Sequence, residues 1–323
     1  MNSLAEHLRL IDLEPRTDTF QDEVLAGLRS DLKTLPSKFF YDTRGSELFD
    51  AICNLEEYYL TRTELAIMQD HVVEMADRLG PGCLVVEYGS GSSLKTRILL
   101  AHMNAPAGYV PIDISREHLL ASAADLQREF PSLEVLPVCA DYTDVIELPS
   151  PRQSVRRIAV YFPGSTIGNF GPSDAVQFLR RMAAVCGRDG ALLIGVDLEK
   201  SPDVLRAAYN DAKGITAAFN KNLLRRMNRE LGANFRLSAF EHDAVFNEPE
   251  GRIEMYLVST ADQDVTIGGE TIQFRRGERI CTEYSQKYAL EEFSALAESA
   301  GFRVEQVWTD SQKYFSVQYL IAK

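Results

Sequence analysis

The sequence predicts an α/β protein: a doubly wound, mostly parallel sheet with a second, α+β domain. Three observations carry this. From about residue 83 onward, apolar runs of strand length alternate with helical patterns, as parallel strands joined by right-handed crossovers require. The first of these strands runs into a glycine-containing turn, Val85-Val86-Glu87-Tyr88-Gly89-Ser90-Gly91-Ser92-Ser93. After Asp197 the pattern changes to a long helical segment and then to short strands. With 323 residues, 45% of them hydrophobic, the chain can hold two domains and bury a sizeable core without staples.

Residues 17–33 place Phe20, Val24, Leu25, Leu28 and Leu32 at helical spacing. The aromatic-dense pieces 35–42 and 55–60 match no regular element. Residues 61–78 form a second helical pattern, with Thr61 or Thr63 as N-cap. Strands follow at 83–86, 108–112, 133–139, 157–162 and 191–196. Helices at 95–105, 116–130 and 172–186 separate most of them. Residues 205–231 read as one helix, and 235–246, 252–259, 265–267 and 271–274 as strands. Gly268-Gly269 between the last two signals a hairpin. A helix at 291–300 and adjacent strands at 302–308 and 314–322 close the chain, the last strand inserting antiparallel beside its neighbour. The expected domains are 64–197 completed by 289–323, and 1–63 together with 198–288.

Lys and Arg total 34 against 47 Asp and Glu, a net charge of −13. That acidity argues against neutralising nucleic-acid phosphates and against docking on an anionic membrane. The five cysteines are scattered, without C-x-x-C or metal-ligand spacing, and read as small core residues. The five histidines are dispersed and form no triad or ligand set. Residues 1–15 lack the apolar stretch of a signal peptide, and no run approaches the roughly 18 apolar residues of a membrane span. The expectation is a cytoplasmic, metal-free monomer.

Chemistry is concentrated at the strand ends. Glycines in the Glu87-x-Gly89-x-Gly91 turn let a ligand approach the backbone, but the third glycine of the dinucleotide fingerprint is missing. Asp113, 22 residues after Gly91, can accept from both hydroxyls of a ribose, which NAD and S-adenosylmethionine (SAM) share. Asp141-Tyr142 closes the third strand and does discriminate. An acid there accepts from an adenine amino group beside a packed ring, which SAM enzymes use. Either aspartate alone could be a helix N-cap; on consecutive strands they favour the cofactor. Phe162-Pro163-Gly164-Ser165-Thr166-Ile167-Gly168-Asn169-Phe170 gathers donors and acceptors where a methyl acceptor would meet the sulfonium. Arg225, Arg226 and Arg229 read as a solvated helix face.

These pieces resemble the histidine-specific, SAM-dependent methyltransferases of ergothioneine synthesis over nearly the whole chain. The resemblance rests on Lys38-Phe39-Phe40-Tyr41-Asp42, Glu57-Tyr58-Tyr59 and Thr61-Arg62-Thr63-Glu64. It rests also on Lys95-Thr96-Arg97, Gly164 to Asn169, Ala207-Ala208-Tyr209-Asn210-Asp211, Ile253-Glu254-Met255 and Thr282-Glu283-Tyr284-Ser285. It implies a Rossmann-like class I methyltransferase sheet binding SAM and a second domain binding the substrate, L-histidine. SAM would contact Gly89, Lys95, Asp113, Asp141 and Tyr142. Histidine would contact Tyr58, Asn169, Tyr209, Glu283 and Ser285, with Tyr41, Gly164 and Met255 lining the pocket. Asn169, Tyr209 and Tyr41 would stand at the reacting centre. The chain departs from the family at Tyr142, where Phe is expected, and at Leu60, where Pro is common.

The residue types suit those roles. Glu283 can accept from one imidazole N–H, and Ser285 can donate to or accept from the other nitrogen. Taken without the resemblance, Glu283 and Ser285 read as the exposed face of a strand, with Thr282 and Tyr284 inward. The expected activity is three successive transfers to the α-amine, giving hercynine by in-line displacement. The alternatives are a related methyltransferase for another amino acid, a catalytically silent SAM-binding protein, and a nicotinamide dehydrogenase. The absent third glycine and the Asp141-Tyr142 pair speak against the dehydrogenase.

Overall fold

The computed structural model describes residues 9–13, 17–91, 94–141 and 146–323. The chain divides into two compact units. One comprises Met1–Pro15, Leu60–Glu199 and Tyr288–Lys323; the other comprises Arg16–Tyr59 and Lys200–Lys287.

The first unit holds an eight-stranded sheet of β1 (Ile11–Asp12), β3 (Cys83–Tyr88), β4 (Gly108–Asp113), β5 (Val138–Cys139), β6 (Arg157–Phe162), β7 (Ala191–Asp197), β13 (Phe302–Thr309) and β14 (Phe315–Ala322). The strands lie in the order β1-β5-β4-β3-β6-β7-β14-β13. The first six are parallel, and β14 runs antiparallel to both its neighbours. All six residues of β3 and all seven of β7 are buried, as strands covered on both faces demand. The chain moves outward from β3 through β4 to β5, then returns to the other side of β3 as β6. That reversal is a topological switch point, where ligands bind beyond the carboxyl ends of the strands.

Helices α4 (Leu94–His102), α5 (Arg116–Glu129), α6 (Pro172–Cys186) and α9 (Leu290–Ser299) belong to this unit, as does most of α3 (Tyr59–Leu79). Phe178, Leu179 and Met182 of α6 and Phe293 and Ala297 of α9 share a core with Val86, Val160, Ile194 and Leu320 of the sheet. Proline at the first position of α6 and Gly187 at its end, with φ 67°, fix that helix's bounds. The expected strand over 133–139 shrinks to two residues: Val135 makes only an isolated bridge to Tyr109, and Pro137 has no N–H to give. β1, parallel to β5, draws residues 9–13 to this sheet, although residues 1–63 were expected with the second domain. A two-residue strand leaves no periodicity to read.

The second unit holds the sheet β2 (Lys33–Thr34), β12 (Arg279–Gln286), β9 (Arg252–Ser259) and β8 (Phe240–Asn247), in that order. The hairpin of β10 (Gln263–Ile267) and β11 (Glu270–Phe274) turns through Gly268 and Gly269, with φ 58° and 81°, values a two-residue primed turn requires. Its helices are α1 (Thr17–Arg29), α2 (Thr43–Cys53), α7 (Pro202–Tyr209) and α8 (Ile215–Glu230). The single helix expected over 205–231 is broken at 210–214. There the Asp211 carboxylate accepts from the backbone N–H of Ile215 (2.9 Å) and Thr216 (2.7 Å), starting α8 afresh.

In the arginine cluster Arg225 and Arg229 are exposed, as a solvated face requires, whereas Arg226 is only partly so. Arg226 donates to the Phe39 carbonyl at 2.9 Å and stacks over the Phe20 ring, and Arg229 pairs with Asp42 at 2.7 Å. All five cysteines are free; Cys53 is half-buried and the others buried. No helix of the described residues is long and apolar enough to cross a membrane.

Candidate active site

In the first unit, the carboxyl ends of β3, β4, β5 and β6 carry the sequence-predicted residues. β3 ends in Gly89-Ser90-Gly91, whose glycines have φ 72° and 47°, a region disfavoured for other residues. Gly89 is exposed, and a Cβ on Gly91 would meet nothing nearer than the Gly89 carbonyl at 4.0 Å, so the backbone lies open to a ligand. The Asp113 carboxylate ties this turn to β4. It accepts from the N–H of Gly91 (3.2 Å) and of Ser115 (2.9 Å), and burial raises its pKa. The Ile114 N–H also acts on it, and since a carboxylate offers about four lone-pair sites, acceptor capacity remains for a ligand hydroxyl. Asp141 lies two residues past the end of β5; Tyr142 lies outside the described residues.

Behind the glycine turn, Glu87 is buried and accepts from Thr96 at 2.6 Å and from the Tyr109 hydroxyl. It thereby joins α4 to β4, and burial pushes its pKa up to about 8. Lys95 forms an ion pair with Glu64, a fully buried carboxylate of α3. Both oxygens of Glu64 also lie 3.0 Å from the Gly164 N–H. One carboxylate thus holds both Lys95 and the loop after β6. In that loop Gly164 (φ 80°) and Ser165 (φ 61°) take left-handed conformations, and the Ser165 hydroxyl accepts from the Asp197 N–H at 2.9 Å. Asn169 ends the following turn, half-buried. The sequence assigned Glu64 no role; only its place in the Thr61-Arg62-Thr63-Glu64 motif marked it.

The second unit brings together Tyr41, Tyr58, Tyr209, Met255, Glu283 and Ser285. Tyr58 meets Tyr209 edge-on at 6.1 Å, and Phe49 bridges Tyr41 and Tyr58 at 5.7 and 6.4 Å between ring centres. The Tyr209 and Ser285 hydroxyls are 2.8 Å apart. Met255, on β9, is paired with Glu283, on β12, so the two side chains share a face. Ser285 and Lys287 follow Glu283 on that face and are buried, while Tyr284 is only partly so and lies against Arg252. Ser285 therefore does not lie on an exposed face, and Glu283 is part-buried like Tyr284. The Glu283 carboxylate makes no hydrogen bond or ion pair among the described residues. Burial lifts its pKa to about 7 against the opposing charge of Lys287. Burial also raises the Tyr58 hydroxyl well above its ordinary value, with Tyr209 adding to the effect.

Two residues that sequence reasoning left aside complete this cluster. His242 bonds the Tyr209 carbonyl at 2.8 Å and the Asn220 side chain at 2.9 Å, fixing the end of α7. Lys287, 1% exposed, donates to Ser285 at 2.7 Å and to Tyr209 at 3.3 Å. Its spacing of two from Ser285 was the available signal. A lysine on an alternating face ordinarily reads as exposed.

The strand order with its antiparallel β14, the glycine turn and the acid-ended strands define a class I SAM-dependent methyltransferase. The chain belongs to the family of SAM-dependent histidine-specific methyltransferases, whose model matches residues 20–322. It is 41% identical over 301 residues to the histidine N-alpha-methyltransferase of Mycobacterium tuberculosis (strain CDC 1551 / Oshkosh), covering 91% of this chain and 92% of that protein. It is 39% identical over 325 residues to the protein of the same name from Mycolicibacterium smegmatis, covering 99% of each. Ergothioneine biosynthesis protein 1 of Neurospora crassa is 33% identical over 289 residues, which are 87% of this chain and 32% of that protein.

Proposed function

We propose that this enzyme methylates the α-amine of L-histidine three times in succession, giving hercynine, the first step of ergothioneine synthesis. The family and the names of its relatives support the substrate. The observation that carries it is the Glu283 carboxylate, which makes no hydrogen bond among the described residues and shares a strand face with Ser285, whose hydroxyl meets that of Tyr209. A part-buried carboxylate beside buried hydroxyls complements the N–H and N of an imidazole ring.

The proposed division of labour follows the sheet domain and the inserted domain. SAM is held by Gly89, Lys95, Asp113, Asp141 and Tyr142. The open glycine turn and the spare lone pairs of Asp113 fit its amino-acid part and ribose. When bound, SAM supplies an electrophilic methyl group on sulfur. The chain's task is then positioning, with the unprotonated amine about 3 Å from that methyl. An α-amino pKa near 8 leaves enough free base. Tyr58 and Tyr209 carry no fixed charge, so the amine can lose an N–H at each transfer without breaking an ion pair to them. Tyr41 and Met255 line the rest of the second domain's cluster. The net charge of −13 and the free cysteines support a cytoplasmic enzyme without nucleic-acid or membrane partners. Its exposed large apolar side chains, Leu13, Leu32, Val73, Leu94 and Val155, are scattered along the chain, as suits a monomer.

The test is Glu283→Ala, assayed on histidine and on Nα,Nα-dimethylhistidine. Leaving the ring unpaired should lower kcat/KM on both by at least about 10²-fold while the melting temperature stays near wild type. Wild-type kcat/KM on both substrates would remove Glu283 from the site and the histidine assignment with it.

A further inference from the structure

Glu64, on α3, is a fully buried carboxylate in the first unit. Taking a carboxylate out of water is costly, and an apolar side chain of similar volume would fill the space more cheaply. The sheet bears a second cost for it. Gly195 lies inside the buried strand β7, and a Cβ there would collide with Glu64 Oε1, so the strand gives up a side chain to admit the carboxylate. What Glu64 touches accounts for both costs. Its oxygens accept from the Gly164 N–H at 3.0 Å, which anchors the carboxylate to the turn after β6. Oε2 also accepts from the Lys95 ammonium, at the start of α4. The Glu64 side chain is 0% exposed and that of Lys95 17%, so the lysine is the member of the pair that reaches solvent. A Cβ on Gly164 would lie 3.5 Å from the ammonium, which therefore sits against that turn. An ammonium carries three donors, and one carboxylate oxygen does not saturate them.

We propose that Glu64 is a positioning residue for the cofactor: anchored by the Gly164 N–H, it fixes the Lys95 ammonium at the strand ends, ready to receive the carboxylate of SAM's amino-acid part. This rests on the reading of Lys95 as a SAM contact. The carboxylate is the one anionic group in SAM, and so the group with which an ammonium forms a charge-assisted bond. Lysine is otherwise a point charge on a flexible four-carbon stem. Held at its tip by a buried anion, it has given up that freedom before the ligand arrives, and such preorganisation strengthens binding. Glu64, buried behind the lysine, acts through it. Glu64, Lys95, Gly164 and Gly195 all belong to the first unit.

The experiment is calorimetry on the purified full chain with two ligands. One is S-adenosylhomocysteine (SAH), the cofactor without its methyl group. The other is decarboxylated SAH, which keeps the adenosine, thioether and amine but lacks the carboxylate. In wild type the Kd of decarboxylated SAH should exceed that of SAH about tenfold or more, as loss of a hydrogen bond between charged groups entails. Lys95→Met should bring this ratio within about threefold of one. Glu64→Gln keeps an acceptor oxygen for Gly164 and removes the charge that holds Lys95, so it should lower the ratio at least about threefold from wild type. Glu64→Asp keeps the charge but draws it back by one methylene; it should lower the ratio in the same direction, and tests the inference should Glu64→Gln not fold. A purely structural Glu64 would weaken both ligands alike and leave the ratio as in wild type, which would overturn the inference. So would a higher ratio in Glu64→Gln, since Glu64 would then compete for Lys95 rather than position it. A wild-type ratio near one would overturn it without any variant. A wild-type ratio in Lys95→Met would instead remove Lys95 from the cofactor site, and the inference with it.

Discussion

Glu87 and Asp113 stand at neighbouring strand ends, both with pKa values raised by burial, yet they should answer to different experiments. Glu87 bonds only the protein, through Thr96 and Tyr109. Its pKa of about 8, against an ordinary 4.5, means the folded state holds more protons between those values. Its contribution to stability is therefore full below about pH 4.5 and is lost as pH rises through about 8. Glu87→Gln keeps the acceptor oxygen and cannot titrate. Its melting temperature relative to wild type should climb steadily from about pH 5 to about pH 9, and a constant difference would contradict this. Asp113 faces the cofactor site instead. Asp113→Ala should weaken SAM binding by about 1.5–3 kcal/mol, the worth of a hydrogen bond to a charged group. Unchanged affinity by calorimetry in a folded variant would remove it from the site. Both residues were visible in the sequence because a strand end and a glycine turn flank them. Glu64 and Lys287 were not: burial of a charged side chain depends on tertiary neighbours that no local pattern records.

Among the elements, β7 carries the tightest constraint on the site. A Cβ on Gly195 would lie 2.3 Å from Glu64 Oε1 and 3.1 Å from the Gly164 nitrogen. That glycine leaves room for the carboxylate that holds Lys95 and the loop after β6. Gly195→Ala should therefore destabilise the fold by roughly 1–3 kcal/mol, as overpacking does, and should also weaken SAM binding. Denaturant unfolding with an unchanged midpoint would contradict the placement of Glu64. The strands of the large sheet were legible because burial on both faces writes a continuous apolar run, as in Cys83–Tyr88. α2 was not legible. Its start depends on the Asp42 side chain accepting from Gly45, and a Cβ at Gly45 would strike the Phe40 carbonyl at 1.7 Å. The break between α7 and α8 was hidden for a related reason, since Asp211 ends one helical period and caps the next. β12 escaped as an element because a register shift between Cys281 and Glu283 interrupts its alternation.

At the scale of the molecule, each compact unit has its own sheet and its own set of candidate ligand contacts. The first unit holds the glycine turn, Asp113 and Asp141 at its strand ends; the second carries the Tyr58, Tyr209, Glu283 and Ser285 cluster. The large sheet's parallel sense followed from the alternation of strands and helices along the chain. The composition of the second cluster did not, because its members come from three separated stretches of sequence and only the family resemblance joined them. The central claim is histidine methylation, and it is tested most directly by mass spectrometry of L-histidine incubated with the purified chain and SAM. The account predicts mono-, di- and then trimethylated histidine, with all three methyl groups on the α-nitrogen. Unmodified histidine after incubation with enzyme shown to bind SAM, or a methyl group on the ring, would contradict it.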